Sequence, residues 1–382
     1  MSALTQILHR FQRFGPEQAS GPFGSPLYVV LCSGLADDPE TASLLLEAAP
    51  VQRIPNLLLA AVHDLLLNGD AAARHPLARY YPSVVGEALA PDDLTYATFR
   101  VFCAAYRDEI LVRVRGRSTQ TNEPRRAAVL YPALGMVARE SERPLALLEP
   151  GASAGLLLQP DRYRYDYGVP RGGDRSSPLQ LGCELLPSLQ PPIPAQVSVA
   201  WRAGIDLAPV DVHDPEAVRW LAACLWPEHR QRAEDLRRAV ALARADPPRI
   251  VRGDLVDSLA ALIAEAPVEL ALVVMHATAL LYLTSARRRA FVEVVAGAAR
   301  RHQRTIWMVS FEAIQILRTM GGELVRGLPD ERSAGPSAAI ALSTFEPDAS
   351  SAHRPLALAH PHGRWLRWLD ASSAVPERVV RA

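Results

Sequence analysis

From residue 145 onward, short apolar runs alternate with amphipathic helical patterns. The apolar runs have the length and composition of buried strands: LALLEP, QVSVAWRAGID, RIVRGD, LALVVMHA and RTIWMVSFE. Because helical patterns separate the later runs, the strands are expected to pair in parallel through helical crossovers. A parallel sheet is covered on both faces. The alternation therefore predicts an α/β fold built on a mostly parallel sheet.

The two ends of the chain differ from this middle part. The segment RIPNLLLAAVHDLLLNGD reads as a buried helix, with Pro55 in its first turn and Gly69 at its end. Near the other end, SAAIALSTF and HRPLALAH read as an antiparallel hairpin. We therefore expect an all-helical region over 1–120 and a sheet domain over 121–382. A parallel sheet closed by an antiparallel pair is typical of class I methyltransferases, so the predicted fold is Rossmann-like and methyltransferase-type.

Composition excludes several kinds of chemistry. The chain contains no lysine, which rules out a Schiff base, a pyridoxal-phosphate anchor and a P-loop lysine. Its 41 basic and 41 acidic residues balance, so no nucleic-acid or membrane partner is indicated. The four cysteines form no C-x-x-C pair, and His360 with His362 lacks a third ligand nearby, so no metal is expected. No apolar stretch reads as a signal peptide or membrane span, and we expect a cytoplasmic protein.

The stretch LLEPGASAGLLL contains the clearest candidate for a cofactor site. It reads as a strand, a tight turn and a helix whose N-terminal amides would face a ligand. Glu149, Gly151 and Gly155 match the methyltransferase pattern E/D-x-G-x-G-x-G, with Ser153 in place of the middle glycine. The spacing differs from the G-x-G-x-x-G of dinucleotide-binding proteins. The alternative interpretation is a tight strand–helix connection that uses glycine for packing alone.

Polar residues also end the other predicted strands. Asp206 stands where a methyltransferase binds the ribose hydroxyls, and Asp254 near the adenine, although Asp254 could equally cap the following helix. His276 and Glu312 end the last two parallel strands, where they could orient an acceptor or take its proton. A histidine bonded to backbone is the alternative for His276. All four residues are expected to meet at one sheet edge.

Further residues are candidates for substrate binding. They are His63 in the N-terminal helix, Glu123 before the helix leading to the first strand, and Asp161, Arg162, Tyr163 and Tyr165 in the segment DRYRYDYG. At strand spacing the tyrosines share one face, either lining a pocket or resting on the sheet. A buried histidine such as His63 is more often a satisfied core residue, and it would reach the ligand only from the helical region.

A series of motifs resembles one bacterial family. The segments LLEPGASAGLLLQPDRYRYDYG, AWRAGIDLAPVDVHD, VVMHATALLYL and HPHGRWLRW, together with LLLAAVHDLLLNGD and TQTNEPRR, are similar to the family catalogued as domain of unknown function 2332. The resemblance spans nearly the whole chain but implies no activity, because the family is uncharacterised. Members usually carry asparagine where this chain has Leu157.

Together the residues favour S-adenosylmethionine as cofactor and a small molecule as partner. The expected function is S-adenosylmethionine binding, with methyl transfer to a small molecule as the activity it would support. In this hypothesis the turn from Gly151 to Gly155 holds the methionine end. The alternative is a non-catalytic protein that keeps the fold and serves as a binding or assembly module. A nicotinamide-dependent oxidoreductase is disfavoured by the glycine spacing, and the oligomeric state stays open.

Overall fold

The computed structural model describes residues 1–19, 24–69, 71–321, 328 and 337–369. The chain forms two compact units, which we call the helical unit and the sheet unit. The helical unit comprises 1–121 and 213–234, and the sheet unit comprises 122–212 and 235–382. The first boundary lies one residue from the one expected from the sequence. Residues 213–234, which the sequence placed with the sheet, pack with the helices instead.

Helices α1 to α7 and α9 make up the regular structure of the helical unit. Their bounds are α1 (Ala3–Phe14), α2 (Pro26–Ala36), α3 (Pro39–Ala42), α4 (Pro55–Leu67), α5 (Pro82–Val85), α6 (Thr95–Ala105), α7 (Arg107–Gly116) and α9 (Pro215–Ala223). Proline occupies the first turn of α2, α4 and α9, where its missing N–H costs no hydrogen bond. Helix α4 is apolar on nearly every side and is buried almost throughout, as its sequence predicted.

The remaining elements belong to the sheet unit. The helices are α8 (Arg126–Ser141), α10 (Arg230–Ala245, which contains the boundary at residue 234), α11 (Leu259–Glu265), α12 (Ser285–Arg301) and α13 (Ile314–Arg318). The strands are β1 (Leu145–Pro150), β2 (Arg164–Asp166), β3 (Arg171–Gly173), β4 (Gln180–Gly182), β5 (Glu184–Leu185), β6 (Val199–Asp206), β7 (Arg249–Arg252), β8 (Ala271–Ala277), β9 (Ile306–Ala313), β10 (Ala338–Phe345), β11 (Ser351–Ala359) and β12 (Trp365–Trp368).

The described strands form a large sheet with the order β5-β12-β11-β10-β9-β8-β1-β6-β7. Strands β7, β6, β1, β8 and β9 run parallel, and β10, β11 and β12 follow as antiparallel neighbours. The predicted strands and the predicted C-terminal hairpin are therefore present, and the α/β prediction is confirmed. A smaller sheet has the order β3-β2-β4.

The order of the parallel strands reverses beside β1. The chain leaves β1 for β6 and β7 on one side, then returns to β8 on the other side. In open α/β sheets such a reversal leaves a crevice at the carboxyl ends of the strands, where ligands bind. A ligand site is therefore expected at the carboxyl ends of β1, β6 and β8.

The segment after β1 differs from the sequence-based prediction. No α-helix follows the glycine turn: Leu156–Leu158 and Pro160–Arg162 form single turns of 3-10 helix, and β2 then begins at Arg164. Pro160 interrupts any helix that would continue from Leu156, because proline lacks the N–H that a helix interior requires. The expectation that a helix N-terminus presents its amides to a ligand here is therefore wrong.

None of the helices in the described ranges combines the length and apolar character needed to cross a membrane.

Candidate functional site

The turn after β1 is held in a tight backbone conformation. Gly151, Ser153 and Gly155 all have positive φ angles, of 83°, 53° and 69°. The N–H groups of Gly151 and Ala152 both donate to the carbonyl of Ile205 on β6, at 2.7 and 3.1 Å. A side chain at either glycine would be strained in this region. The turn is thus a backbone loop fastened to the neighbouring strand.

Both glycines are also required by close packing. A Cβ atom on Gly151 would lie 2.4 Å from the Cβ of Ala279, and one on Gly155 would lie 2.5 Å from Cγ of Pro248. Such distances are well inside van der Waals contact, so neither position tolerates a side chain unless its neighbour moves. The packing interpretation of the sequence therefore accounts for both glycines without a ligand.

Asp206 fastens the same turn from the end of β6. Its Oδ2 accepts the Ser153 N–H at 2.8 Å, and its Oδ1 accepts the Ala208 N–H at 2.8 Å. Each carboxylate oxygen can accept a further bond, because an ionised carboxylate has about four acceptor positions. Asp206 therefore lies at the predicted edge of the sheet, where it already binds two backbone N–H groups.

A group of buried and half-buried polar side chains surrounds the turn. We call it the β1-edge cluster, and it comprises Asn122, Arg126, Glu149, Ser153 and Asp206. The Asn122 Nδ2 donates to the Ala152 carbonyl at 2.7 Å, and Arg126 donates to the carbonyls of Pro361 and Ala277. The cluster thus joins the start of α8 to the ends of β1, β6 and β8.

Some acceptor atoms of this cluster are buried without a hydrogen-bond partner among the described residues. They are Glu149 Oε2, Ser153 Oγ and Asn122 Oδ1. Glu149 is only 3% exposed, and a buried acceptor without a donor costs about 1–3 kcal/mol. Burial raises the pKa of Glu149 well above its usual range, the charge of Asp206 raises it further, and Arg126 partly opposes both. These atoms are the strongest indication of a ligand or bound water at this edge.

His276 and Glu312 are brought into direct contact. His276 Nδ1 lies 3.0 Å from Glu312 Oε1, and His276 Nε2 lies 2.8 Å from Ser310 Oγ. Because Glu312 Oε1 can only accept as a carboxylate, Nδ1 carries the proton and Nε2 accepts from the serine hydroxyl. The three side chains have essentially no exposed surface. This order of partners matches that of a hydrolase triad, but the serine is inaccessible in the middle of β9.

The same carboxylate holds the loop that follows β8. Glu312 Oε1 also accepts the N–H groups of Ala279 and Leu280, each at 3.0 Å. Thr278 has a φ of 55°, which is unfavourable for a β-branched residue and is stabilised only by its surroundings. The brace formed by His276, Glu312 and Ser310 thereby sets the position of Ala279 against Gly151. Both imidazole nitrogens have hydrogen-bond partners in this arrangement, and Glu312 holds the loop. The role of the pair in handling a proton stays a prediction.

The tyrosines after the turn are structural in their contacts. The hydroxyl of Tyr163 donates to the Leu156 carbonyl at 2.6 Å, that of Tyr165 to the Pro160 carbonyl at 2.7 Å, and both residues are fully buried. They lie in and beside β2, which confirms the strand spacing. Their accessible surface is zero, so the structure favours the interpretation in which the rings support the sheet over a tyrosine-lined pocket.

The charged neighbours of these tyrosines form ion pairs. Asp161 makes a two-pronged contact with Arg202, with N–O distances of 3.2 and 3.0 Å, and Arg162 pairs with Asp246. A carboxylate bound by both prongs of a guanidinium is strongly oriented. These contacts fasten the 3-10 turns to β6 and to the segment before β7.

The remaining candidates have contacts of their own. Asp254 accepts the N–H groups of Val256 and Asp257, at 2.8 and 3.1 Å, and pairs with Arg287, so the capping interpretation describes its contacts. Glu123 is 1% exposed, immediately after Asn122. His63 is buried within the helical unit, where Ala223 and Ser83 are its hydrogen-bond partners.

Sequence reasoning missed several residues that the structure brings into contact with the candidates. Ser310 precedes Glu312 by two positions on β9 and is the register partner of His276, so alternation along the strand could have identified it. Arg126 is the last residue of the TQTNEPRR segment, but its approach to β8 depends on long-range packing that no local pattern encodes. Within the described ranges, no group of three or more histidine, cysteine or acidic residues could hold a metal ion.

Comparison with known proteins identifies the family. The family model described as "Uncharacterized protein conserved in bacteria (DUF2332)" matches residues 8–368, and the chain therefore belongs to this family. No curated protein and no solved structure shows a significant similarity to the chain.

Proposed function

We propose that this member of the DUF2332 family binds S-adenosylmethionine at the β1-edge cluster, and that methyl transfer to a small molecule is the activity this binding would support. The observation that carries the proposal is the presence of buried oxygens, Glu149 Oε2 and Ser153 Oγ, at the reversal of strand order. Neither atom has a hydrogen-bond partner in the part of the chain that the structure describes. Native proteins rarely leave such atoms without a partner unless a ligand, ion or water completes the site.

The chemistry of the cluster fits this cofactor. S-adenosylmethionine carries an ammonium group and a sulfonium cation. The cluster offers carboxyl, hydroxyl and amide oxygens that have no hydrogen-bond partner among the described residues. The carboxylate of S-adenosylmethionine needs a positively charged partner, and Arg126, only 6% exposed, lies at the same edge. Complementary groups would therefore be available to both ends of the methionine portion.

The residues of the chain would then have distinct tasks. Glu149, Ser153 and Asn122 would bind the ammonium end, and Asp206, which retains acceptor capacity, would bind the ribose hydroxyls. Asp254 would lie toward the adenine. When bound, the cofactor supplies an electrophilic methyl group. The chain contributes alignment of the acceptor, and the brace at Glu312 keeps the loop after β8 in place over the turn.

A second candidate function is favoured by a different observation. The contact between Gly151 and Ala279 is so close that it explains the glycine without a cofactor. On this basis the protein would be a non-catalytic binding or assembly module that keeps the fold. The polar atoms of the β1-edge cluster would then be satisfied by water alone.

Calorimetric titration separates the two candidates. The full chain is titrated with S-adenosylmethionine, with S-adenosylhomocysteine, and with methionine and adenosine separately. The proposal predicts saturable binding of the first two, weakened in Glu149→Gln and unchanged in Asp246→Asn, an exposed acid that pairs with Arg162. Folded protein that gives no binding heat with either sulfur compound, and shows no thermal stabilisation by them, would favour the non-catalytic module.

A further inference from the structure

A serine and a histidine of the helical unit form a separate pair with the geometry of a nucleophile and its base. Ser83 Oγ, on α5, lies 2.7 Å from Nε2 of His63, on α4. Nδ1 of the same ring lies 3.0 Å from the carbonyl oxygen of Ala223. We propose that Ser83 is a nucleophile activated by His63, and that the helical unit transfers or hydrolyses the acyl group of small carboxylic esters.

The protonation pattern of His63 is fixed by its partners. The carbonyl of Ala223 can only accept a hydrogen bond, so Nδ1 carries the proton and Nε2 presents a lone pair to the Ser83 hydroxyl. A base that is oriented by a third group and bonded to a hydroxyl is the general signature of an activated nucleophile. The third group is usually a carboxylate, and here it is a backbone carbonyl.

The position of that carbonyl compensates in part for the missing carboxylate. Ala223 is the last residue of α9 (Pro215–Ala223), and the carboxyl end of a helix carries a partial negative charge. An imidazolium formed at His63 would face this charge through its Nδ1–H. The neighbouring carboxylate of Asp64 is engaged by Arg113 and Arg219, so it does not compete for the ring.

The two side chains differ in solvent exposure in the way that nucleophilic catalysis requires. His63 is 1% exposed, whereas Ser83 is half-buried and retains contact with solvent. Burial lowers the pKa of His63 to about 4, while the Ala223 carbonyl and Asp64 raise it less, so the ring is neutral around neutral pH. The base is therefore in the form that can accept a proton.

The proposed step is balanced without a cofactor. Ser83 Oγ attacks the ester carbonyl carbon, and its proton passes to His63 Nε2. The carbon–oxygen bond to the alcohol breaks, and the departing alkoxide takes that proton. The acyl-Ser83 ester is then hydrolysed when a water molecule gives its proton to His63, adds its oxygen to the carbonyl carbon and releases the serine, which recovers the proton.

A fluorophosphonate probe tests the proposal on the full chain. The Ser83 oxygen forms a bond to phosphorus while fluoride leaves, and mass spectrometry of peptides locates the adduct. Ser43 is a matched internal control, because it is also half-buried but its hydroxyl donates to the Glu40 carbonyl rather than to a histidine. We expect labelling at Ser83 and not at Ser43, and a rate lowered by about 100-fold or more in His63→Gln.

Cysteine variants provide a second test of the Ser83–His63 pair, which does not depend on the folding of His63→Gln. Ser83→Cys retains the histidine, so its thiol should be alkylated by iodoacetamide at least about 10-fold faster than the thiol of Ser43→Cys at neutral pH, because a paired base favours the thiolate. Absence of a fluorophosphonate adduct at Ser83, or equal alkylation rates in the two cysteine variants, would overturn the proposal.

Discussion

Substitution of Gly151 by alanine tests whether the turn depends on its contact with Ala279. The new Cβ would meet the Ala279 Cβ at 2.4 Å, and the residue would keep a φ of 83°. The positive φ costs about 1–2 kcal/mol for an L residue, and forcing a methyl group into a packed contact costs about 1–3 kcal/mol. We therefore expect Gly151→Ala to lower the free energy of unfolding by about 2–5 kcal/mol.

Gly168 is a matched control for this substitution. It has the same φ of 83°, but no atom of the described residues lies within 4 Å of a Cβ built on it. Gly168→Ala should therefore cost only the conformational part, about 1–2 kcal/mol. In the double variant Gly151→Ala with Ala279→Gly, the steric part should be recovered, which gives a coupling energy of about 1–3 kcal/mol in a double-mutant cycle.

Urea unfolding followed by circular dichroism measures these differences. If Gly151→Ala is no more destabilising than Gly168→Ala, or if removal of the Ala279 methyl group gives no recovery, then the close packing of the turn against the loop after β8 is not what requires a glycine.

Further substitutions address the brace, the tyrosines and the buried acid. Glu312→Gln should lower the free energy of unfolding by about 1.5–3 kcal/mol in urea melts, because three N–H donors lose a charged acceptor. The control Glu265→Gln, at an exposed position, should change it little. Equal effects of the two substitutions would show that Glu312 does not stabilise the loop after β8. Tyr163→Phe should cost about 1–2 kcal/mol, since the carbonyl of Leu156 loses its buried donor, and an unchanged midpoint would contradict this. The pKa of Glu149 is raised in the folded state, so its carboxyl loses its proton at a lower pH in the unfolded chain than in the folded chain. The free energy of unfolding of the wild type should therefore fall relative to that of Glu149→Gln as the pH rises above 4.5. Urea midpoints of both proteins at about pH 5 and about pH 8 measure this, and a constant difference would show that Glu149 is not shielded from water.

The fold was predictable where a local pattern repeats. Apolar runs ending at Glu149, Asp206 and Glu312 identified strands, because burial on both faces of a parallel sheet demands continuous apolar sequence. The segment after Gly155 was mispredicted as a helix, because its apolar residues are equally compatible with an α-helix and with a buried 3-10 turn. Only Pro160 signalled the interruption, and a proline at the end of a window is weak evidence of where a helix stops.

The candidate site was predictable in position but not in contacts. The ends of parallel strands identify one edge of the sheet, and His276 and Glu312 do meet there. The sequence could not reveal that Glu312 also accepts two N–H groups of the loop after β8, since those bonds depend on tertiary packing. It also could not indicate that Asp206 fastens the turn, because a carboxylate at a strand end looks the same whether it binds backbone or ligand.

Hydrogen–deuterium exchange with S-adenosylhomocysteine shows both whether this ligand binds to the chain and where it binds. We expect slower exchange in peptides covering 149–157 and 205–210, and we expect Glu149→Gln to abolish the protection at the same ligand concentration. Unchanged exchange at saturating ligand in these peptides, or protection confined to other parts of the chain, would contradict a ligand site at the β1-edge cluster.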